Sequence, residues 1–276
     1  MIAVGTSRRF KTCGQKKGSN MSRRGLVVAA SALLCSLAGF ALTAQADEIR
    51  VLSGGAAKAL VEPLAQSFKA ASGHVAMVEF QPMGPLTARL AKGEAIDMVI
   101  ITSDVLERLE AEGKLPKGIG RPIARVGVGV AVNEKAPVPD IATADAFKRS
   151  VLAAKSIVYI DPKIGTSGKH VAEVLERLGI SDAVKARTTL GTGGYVVAPV
   201  GRGEIEMGIH QISEIMPVPG IRMVGPLPEE LQKYTVYVAV PVPGTSRAAA
   251  VDAFIAHLTG PAGKAKLAAA GYTSAP

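Results

Sequence analysis

Four short turns in this 276-residue chain combine glycine with small or hydroxyl-bearing side chains. They are Ser53-Gly54-Gly55-Ala56-Ala57-Lys58, Met83-Gly84-Pro85, Gly165-Thr166-Ser167-Gly168-Lys169 and Gly191-Thr192-Gly193-Gly194-Tyr195. Each follows a β-rich run and precedes a helix-length segment. Small residues at such a junction let backbone N–H groups approach a ligand, and the dipole of the following helix favours negative charge. A single turn of this kind is ordinary connecting chemistry. Four that converge on one cleft point to a small anion held without a metal or a nucleotide.

The alternatives fail on spacing. Gly165–Lys169 has Lys163 where a phosphate-binding loop needs its earlier glycine, and His170 where that loop needs Ser or Thr. Gly191-Thr192-Gly193-Gly194 does not have the dinucleotide-binding spacing, and no Gly-x-Ser-x-Gly elbow is present. His74, His170, His210 and His257 are scattered without metal-ligand spacing, so neither a metal nor another cofactor is expected. His74 and His257 read as surface or packing residues. His170, in the first turn after Ser167, and His210, which precedes Gln211, stand closer to the turns. Lys58, Lys169, Arg202, His210 and Gln211 are the polar groups that could face carboxylates, since cationic donors suit planar carboxylate oxygens.

These junctions need strands and helices to hold them. Strands are predicted at Ile49–Leu52, Val75–Phe80, Asp97–Ile101, Ala124–Val132, Ser156–Ile160, Arg187–Leu190, Glu206–Ile209, Arg222–Val224 and Thr235–Val240. Helical spacing of apolar residues lies between them, as in Leu60, Leu64 and Phe68 or in Val171, Val174, Leu175 and Leu178. Pro63 should kink the first of these helices, and Gly73 and Gly179 sit where C-caps belong. The alternation predicts an α/β protein with parallel sheets covered by helices on both faces. The chain is long enough for two lobes. With crossings at Val126–Val132 and Val236–Val242, the expected organisation is residues 47–127 in lobe one, 128–237 in lobe two and 238–276 returning to lobe one. Ligands in such sheets bind beyond the carboxyl ends of the strands, which puts the cleft between the lobes.

The N-terminus reads as a leader. Arg23 and Arg24 form a basic region, Leu26–Leu42 an apolar one, and Ala44-Gln45-Ala46 a small-residue cleavage site, so residues 1–46 are expected to be removed and the product exported. Residues 1–20 are not needed for export, which leaves Met1 and Met21 as alternative starts. The whole chain carries a formal charge of +9, but seven basic residues and no acid precede residue 47; without them 25 basic face 23 acidic residues, a net of +2. A near-neutral chain with few aromatics and no basic stripe is a poor nucleic-acid binder. Both cysteines, Cys13 and Cys35, fall in the leader, so the remainder has neither a disulfide nor a thiol nucleophile.

The junctions in this order resemble those of the periplasmic molybdate-binding protein family. The likeness is carried by Ile49-Arg50-Val51-Leu52 with its turn, the Leu86–Ile101 stretch with Ala91-Lys92-Gly93 and Asp97, Asp161-Pro162 leading to Ser167-Gly168, Gly208-Ile209, and Leu258-Thr259-Gly260-Pro261 with Gly271-Tyr272. It implies a two-lobe type II periplasmic binding fold with the ligand cleft between the lobes. It also implies a monomeric solute-binding protein that serves an ABC permease. Ligand contacts would come from Gly55, Ala56, Lys58, Met83, Gly84, Ser167, Gly168, Lys169, Gly193, Gly194, Tyr195 and Gln211. The site departs from the family at three places: the first-turn Ser is Ala56, the Ser-rich second turn is Pro82-Met83-Gly84-Pro85, and the late Tyr is Gln211. Each lost hydroxyl leaves an oxyanion oxygen unpaired, at about 1–3 kcal/mol, so another small anion, a carboxylate or an oxyanion, is expected.

A divergent branch of that family is associated with periplasmic aconitate isomerase activity, which makes isomerisation of cis- and trans-aconitate the alternative function. Such a reaction needs a base and an acid, and His210 and Lys58, with Glu214 and Tyr195, are the candidates. The leader reading has a direct check. N-terminal sequencing of protein recovered from the periplasm should begin at Asp47, whereas an intact Met1 or Met21 on soluble product would defeat it.

Overall fold

A computed structural model describes residues 46–275 and Gly14. The leader reading, with both cysteines, lies outside the residues described from 46 onward, and among the described residues no helix is long and apolar enough to cross a membrane. Ten strands form two five-stranded sheets.

The first sheet has the order β2-β1-β3-β10-β4. It is built from β1 (Glu48–Gly54), β2 (Val75–Gln81), β3 (Met98–Thr102), β4 (Arg121–Val126) and β10 (Thr235–Pro241). The second has the order β7-β6-β8-β5-β9, from β5 (Val128–Asn133), β6 (Ile157–Ile160), β7 (Thr188–Gly191), β8 (Met207–Gln211) and β9 (Ile221–Pro226). Helices α1 (Lys58–Ser72), α2 (Met83–Ala91) and α3 (Ser103–Ala111) follow β1, β2 and β3. In the second lobe α4 (Ala144–Ala153) precedes β6, α5 (Thr166–Arg177) and α6 (Ser181–Lys185) follow it, and α7 (Ala198–Gly201) and the single turn α8 (Ile212–Ile215) flank β8. The chain ends on α9 (Ala248–Thr259) and α10 (Pro261–Lys266) over the first lobe.

The sheets are mixed, which corrects the expectation of parallel ones. β1 pairs parallel with β2 and β3, and β6 with β7 and β8, because helical crossovers return the chain to the same end. β10 runs antiparallel to β3 and β4, and β5 antiparallel to β8 and β9. These two are the strands that enter after a change of lobe, so they meet their sheet from the opposite end. The predicted strand Ala124–Val132 is accordingly two strands divided at Gly127, where the chain leaves the first sheet. It comes back between Pro226 and Thr235.

Gln232 ties the two crossings together. Its side-chain amide accepts from Val128 N at 2.9 Å and donates to Val128 O at 2.9 Å. A Cβ at position 127 would lie 3.1 Å from the Gln232 amide nitrogen, so glycine lets this clamp sit close. Each lobe has its own packing. Phe68, Phe254, Ile49, Leu60 and Ile100 fill the first, while Phe147, Val171, Leu175 and Ile209 on one face of the second sheet and Val196, Val197, Val200 and Ile215 on the other fill the second.

Helix packing explains one glycine in the third turn. A Cβ on Gly168 would collide with the Ile160 carbonyl oxygen, so α5 can lie on the end of β6 only with glycine there. Backbone atoms cannot rotate away as a side chain can. Gly168→Ala should therefore lower unfolding stability by about 1–3 kcal/mol, read from urea denaturation.

Candidate functional site

A cleft of about 250 Å³ opens between the carboxyl ends of the two sheets. The first lobe lines it with Gly55, Ala56, Lys58, Phe80, Gln81, Pro82, Met83 and Tyr237; the second with Ile160, Gly165, Thr166, Ser167, Gly194, Tyr195, His210, Gln211 and Glu214.

Of the residues named from sequence, Gly55, Ala56, Lys58, Met83, Ser167, Gly194, Tyr195, Gln211 and His210 come together here, as does Glu214. Gly84, Gly168, Lys169 and Gly193 do not line the cleft. The Gly84 N–H donates to Ile164 O across the seam at 3.2 Å. Gly168 is buried against β6 and Lys169 is exposed to solvent. Gly193, with φ at 142°, packs against Pro82, where a side chain would stand 3.1 Å from the ring. Arg202 is on the surface with Glu204, 2.7 Å away. His170 is buried in packing and pairs through Nε2 with Leu231 O at 2.8 Å.

Gln81, Phe80, Ile160 and Tyr237 were not singled out from sequence. Gln81 ends β2 one residue before the second turn, which was the available signal; its Nε2 is buried without a hydrogen-bond partner. Tyr237 belongs to β10, and its reach into the cleft depends on that strand's antiparallel entry. The lining is divided by chemistry. Phe80, Met83 and Ile160 make an apolar wall, and Lys58, with Nζ 3.8 Å from Glu62 and 5.8 Å from the Phe80 ring centroid, is the cation among the lining residues. α5 begins at Thr166 after Gly165, which provides no side-chain cap, so first-turn N–H groups stay available to an anion.

The floor of the cleft is a chain of three polar side chains. Ser167 Oγ lies 3.0 Å from His210 Nδ1, and His210 Nε2 lies 3.0 Å from Glu214 Oε2. The second contact is too bent for the imidazole to donate along it, so Nε2 has no hydrogen-bond partner. Ser167, His210 and Glu214 are 3%, 1% and 7% exposed. Burial pushes the Glu214 carboxyl up to about 8 and the His210 imidazole down to about 4, the latter opposed by the Gly194 carbonyl. Both shifts have the desolvation of a charged form as their main cause. At neutral pH the arrangement is a protonated carboxyl touching a neutral imidazole: a proton donor beside a proton acceptor.

Residues 211–213 fix this floor to the other lobe. Gln211 donates from Nε2 to Thr235 Oγ1 at 3.0 Å and accepts from the Tyr237 hydroxyl at 3.0 Å. Ser213 Oγ donates to Ala56 O at 2.8 Å, and the Tyr272 hydroxyl donates to the same carbonyl. The Tyr237 phenol is raised well above its ordinary value, first by burial and then by Glu214.

A two-lobe fold whose cleft is bounded by strand ends and helix starts defines the class of type II periplasmic binding proteins. The chain belongs to the bacterial extracellular solute-binding proteins, whose family profile matches residues 49–273. It is similar to an aconitate isomerase from a Pseudomonas species, 31% identical over 216 residues that cover 76% of this chain and 81% of that one. It is also similar to the molybdate-binding protein ModA of Azotobacter vinelandii, 26% identical over 198 residues, 71% of this chain and 74% of that one. Among solved structures, the Azotobacter vinelandii periplasmic molybdate-binding protein superposes with a TM-score of 0.70 at 21% identity, covering 83% of this chain and all of that one.

The buried carboxyl makes stability depend on pH with a definite sign. Glu214 holds its proton in the folded state to about 8, while the unfolded residue loses it near 4.3, so folding binds a proton over that window and stability falls as pH rises. His210, lowered to about 4, acts oppositely but only below about 6.5, its unfolded value. Between about pH 6.5 and 8 the Glu214 effect should therefore dominate the pair, and Glu214→Gln should remove about 1–2 kcal/mol of pH-dependent loss. Urea titrations of both proteins at the two pH values measure it.

Proposed function

We propose that this chain is an exported periplasmic protein whose cleft binds a small unsaturated polycarboxylate and moves a proton within it, interconverting cis- and trans-aconitate. The observation that carries this reading is the His210–Glu214 pair, buried and open only to the cleft. A protonated carboxyl can serve passive capture of an anion as an O–H donor, but the free imidazole nitrogen beside it is an acceptor that such capture does not use. An allylic proton shift can use such a pair, one group taking the proton and the other supplying one. The 31% identity to an aconitate isomerase across most of both chains supports the same reading, and the apolar wall of Phe80, Met83 and Ile160 suits a carbon skeleton better than a bare tetrahedral oxyanion.

Removing a proton from a methylene between a double bond and a carboxylate gives a dienolate, whose charge needs stabilising donors. Lys58, the Ser167 hydroxyl, Gln81 Nε2 and the first-turn N–H groups of α5 are the donors on hand. Lys58 is a binding and charge-stabilising residue in this scheme. No metal or other cofactor is required by it.

A second reading, favoured by membership of the solute-binding family, is a receptor that hands the anion to an ABC-type permease. It keeps the same cleft and ligand class and dispenses with turnover. A thermal-shift panel of cis- and trans-aconitate, citrate, molybdate and tungstate, with an assay for trans-aconitate, separates the readings. Tricarboxylates should raise the melting temperature and cis-aconitate should be converted. His210→Gln or Glu214→Gln should cut turnover by about 100-fold or more while the ligand-induced shift persists. Tight binding without turnover would leave the receptor, and a shift only with molybdate or tungstate would overturn the carboxylate ligand.

A further inference from the structure

One proton on the cleft floor has no acceptor inside the protein. Glu214 holds it at neutral pH, yet the 3.0 Å contact with His210 Nε2 is too bent to be a hydrogen bond, and among the described residues the carboxyl makes no other. Buried polar groups are nearly always partnered, and Glu214 lines the cleft. We infer that the missing partner is the ligand: the Glu214 carboxyl and one carboxylate of the bound anion share a single proton across the gap beside Gly55, which couples capture of the anion to that proton. This rests on the carboxylate reading of the cleft and holds whether the anion is then isomerised or released unchanged.

The geometry leaves one oxygen for the purpose. Oε2 is turned to His210, whereas Oε1 faces Gly55, where a Cβ would stand 3.4 Å from it and 3.7 Å from the Gln81 carbonyl. With glycine at 55 the gap between them is open. A ligand oxygen seated there meets the Glu214 O–H, and Gln81, on the other border, adds an Nε2 that is buried without a partner. Two carboxyl groups this close cannot both be ionised, so they hold one proton between them.

Among the described residues no lysine or arginine forms an ion pair with Glu214. β8 brings His210, lowered by burial to about 4 and so neutral at pH 7. β10 and the C-terminal segment bring the Tyr237 and Tyr272 phenols, both raised by burial. α1 brings Lys58, 3.8 Å from Glu62; β9 brings Arg222, which donates to Glu134 O at the surface; the fourth turn brings Tyr195. β5 has no titratable residue. Glu214, pushed up to about 8 by burial, already has its proton in the empty cleft below that pH and must regain one from solvent above it. Affinity is therefore full below about 8 and falls as pH rises through it.

Calorimetry with trans-aconitate and with citrate tests this. In the wild type the Kd should rise about tenfold from pH 7 to 9. Glu214→Gln keeps an N–H donor but cannot ionise, so it should lose that pH dependence. Gly55→Ala would set its methyl in ordinary contact with Oε1; it should weaken binding at pH 7 by about tenfold or more while the melting temperature of the free protein stays unchanged. Equal pH dependence in the wild type and Glu214→Gln, or undiminished affinity in Gly55→Ala, would overturn the shared proton and leave the carboxylate ligand standing. Binding of neither acid at pH 7 would overturn the carboxylate reading and the shared proton with it.

Discussion

The cleft depends on one short stretch, residues 211–214, being bonded to both lobes at once. Gln211 is the last residue of β8 and is paired to Val128 in the second sheet, yet its side chain is shared between Thr235 and Tyr237 of the first. Two residues on, Ser213 is anchored to the Ala56 carbonyl in the turn after β1. Glu214, next in line, has nowhere to go but into the seam. Its burial, and with it the altered acidity of the floor, follows from these neighbours more than from anything Glu214 does itself.

That placement is costly for folding. A carboxyl removed from water without a cation cannot keep its charge cheaply, and the lower-cost outcome is to hold a proton. Lys58 lines the same cleft but is 3.8 Å from Glu62, and it does not neutralise Glu214. His210 could have done so as imidazolium, but it is itself almost wholly buried. The result is two neutral groups in contact where a surface pair would have been two ions. Sites that hold titratable groups away from their ordinary values at the expense of stability are characteristic of binding and catalysis.

The rest of the lining fits a ligand with both carbon and charge. Phe80 and Met83 come from the first lobe and Ile160 from the second, beside Ser167 and the open start of α5. Ala56 and Met83, at positions where the resemblance implies hydroxyls, line the cleft with apolar side chains. The Tyr237 hydroxyl is committed to Gln211, so its proton is not available to an anion.

Much of the fold was legible in the sequence because it is local. Strand runs such as Val75–Phe80, the spacing of Leu60, Leu64 and Phe68, and glycine at Gly73 and Gly179, which have φ of 79° and 66°, each depend on residues within a turn or two. Three of the four glycine-bearing turns bring several residues to the cleft for the same reason: they end strands, and strand ends face it. Pro82 and Met83 represent the second turn there, while Gly84 turns to Ile164 instead. What sequence could not decide was set by distant partners. Whether a turn glycine faces ligand or packing depends on what lies across from it, Ile160 for Gly168 and Pro82 for Gly193. Gly127 divides one predicted strand between two sheets because Gln232, more than a hundred residues later, clamps Val128. His210 and Glu214 stood in the sequence as two of several titratable residues; only the closing of the first lobe over α8 buries them together, and burial gives them their chemistry.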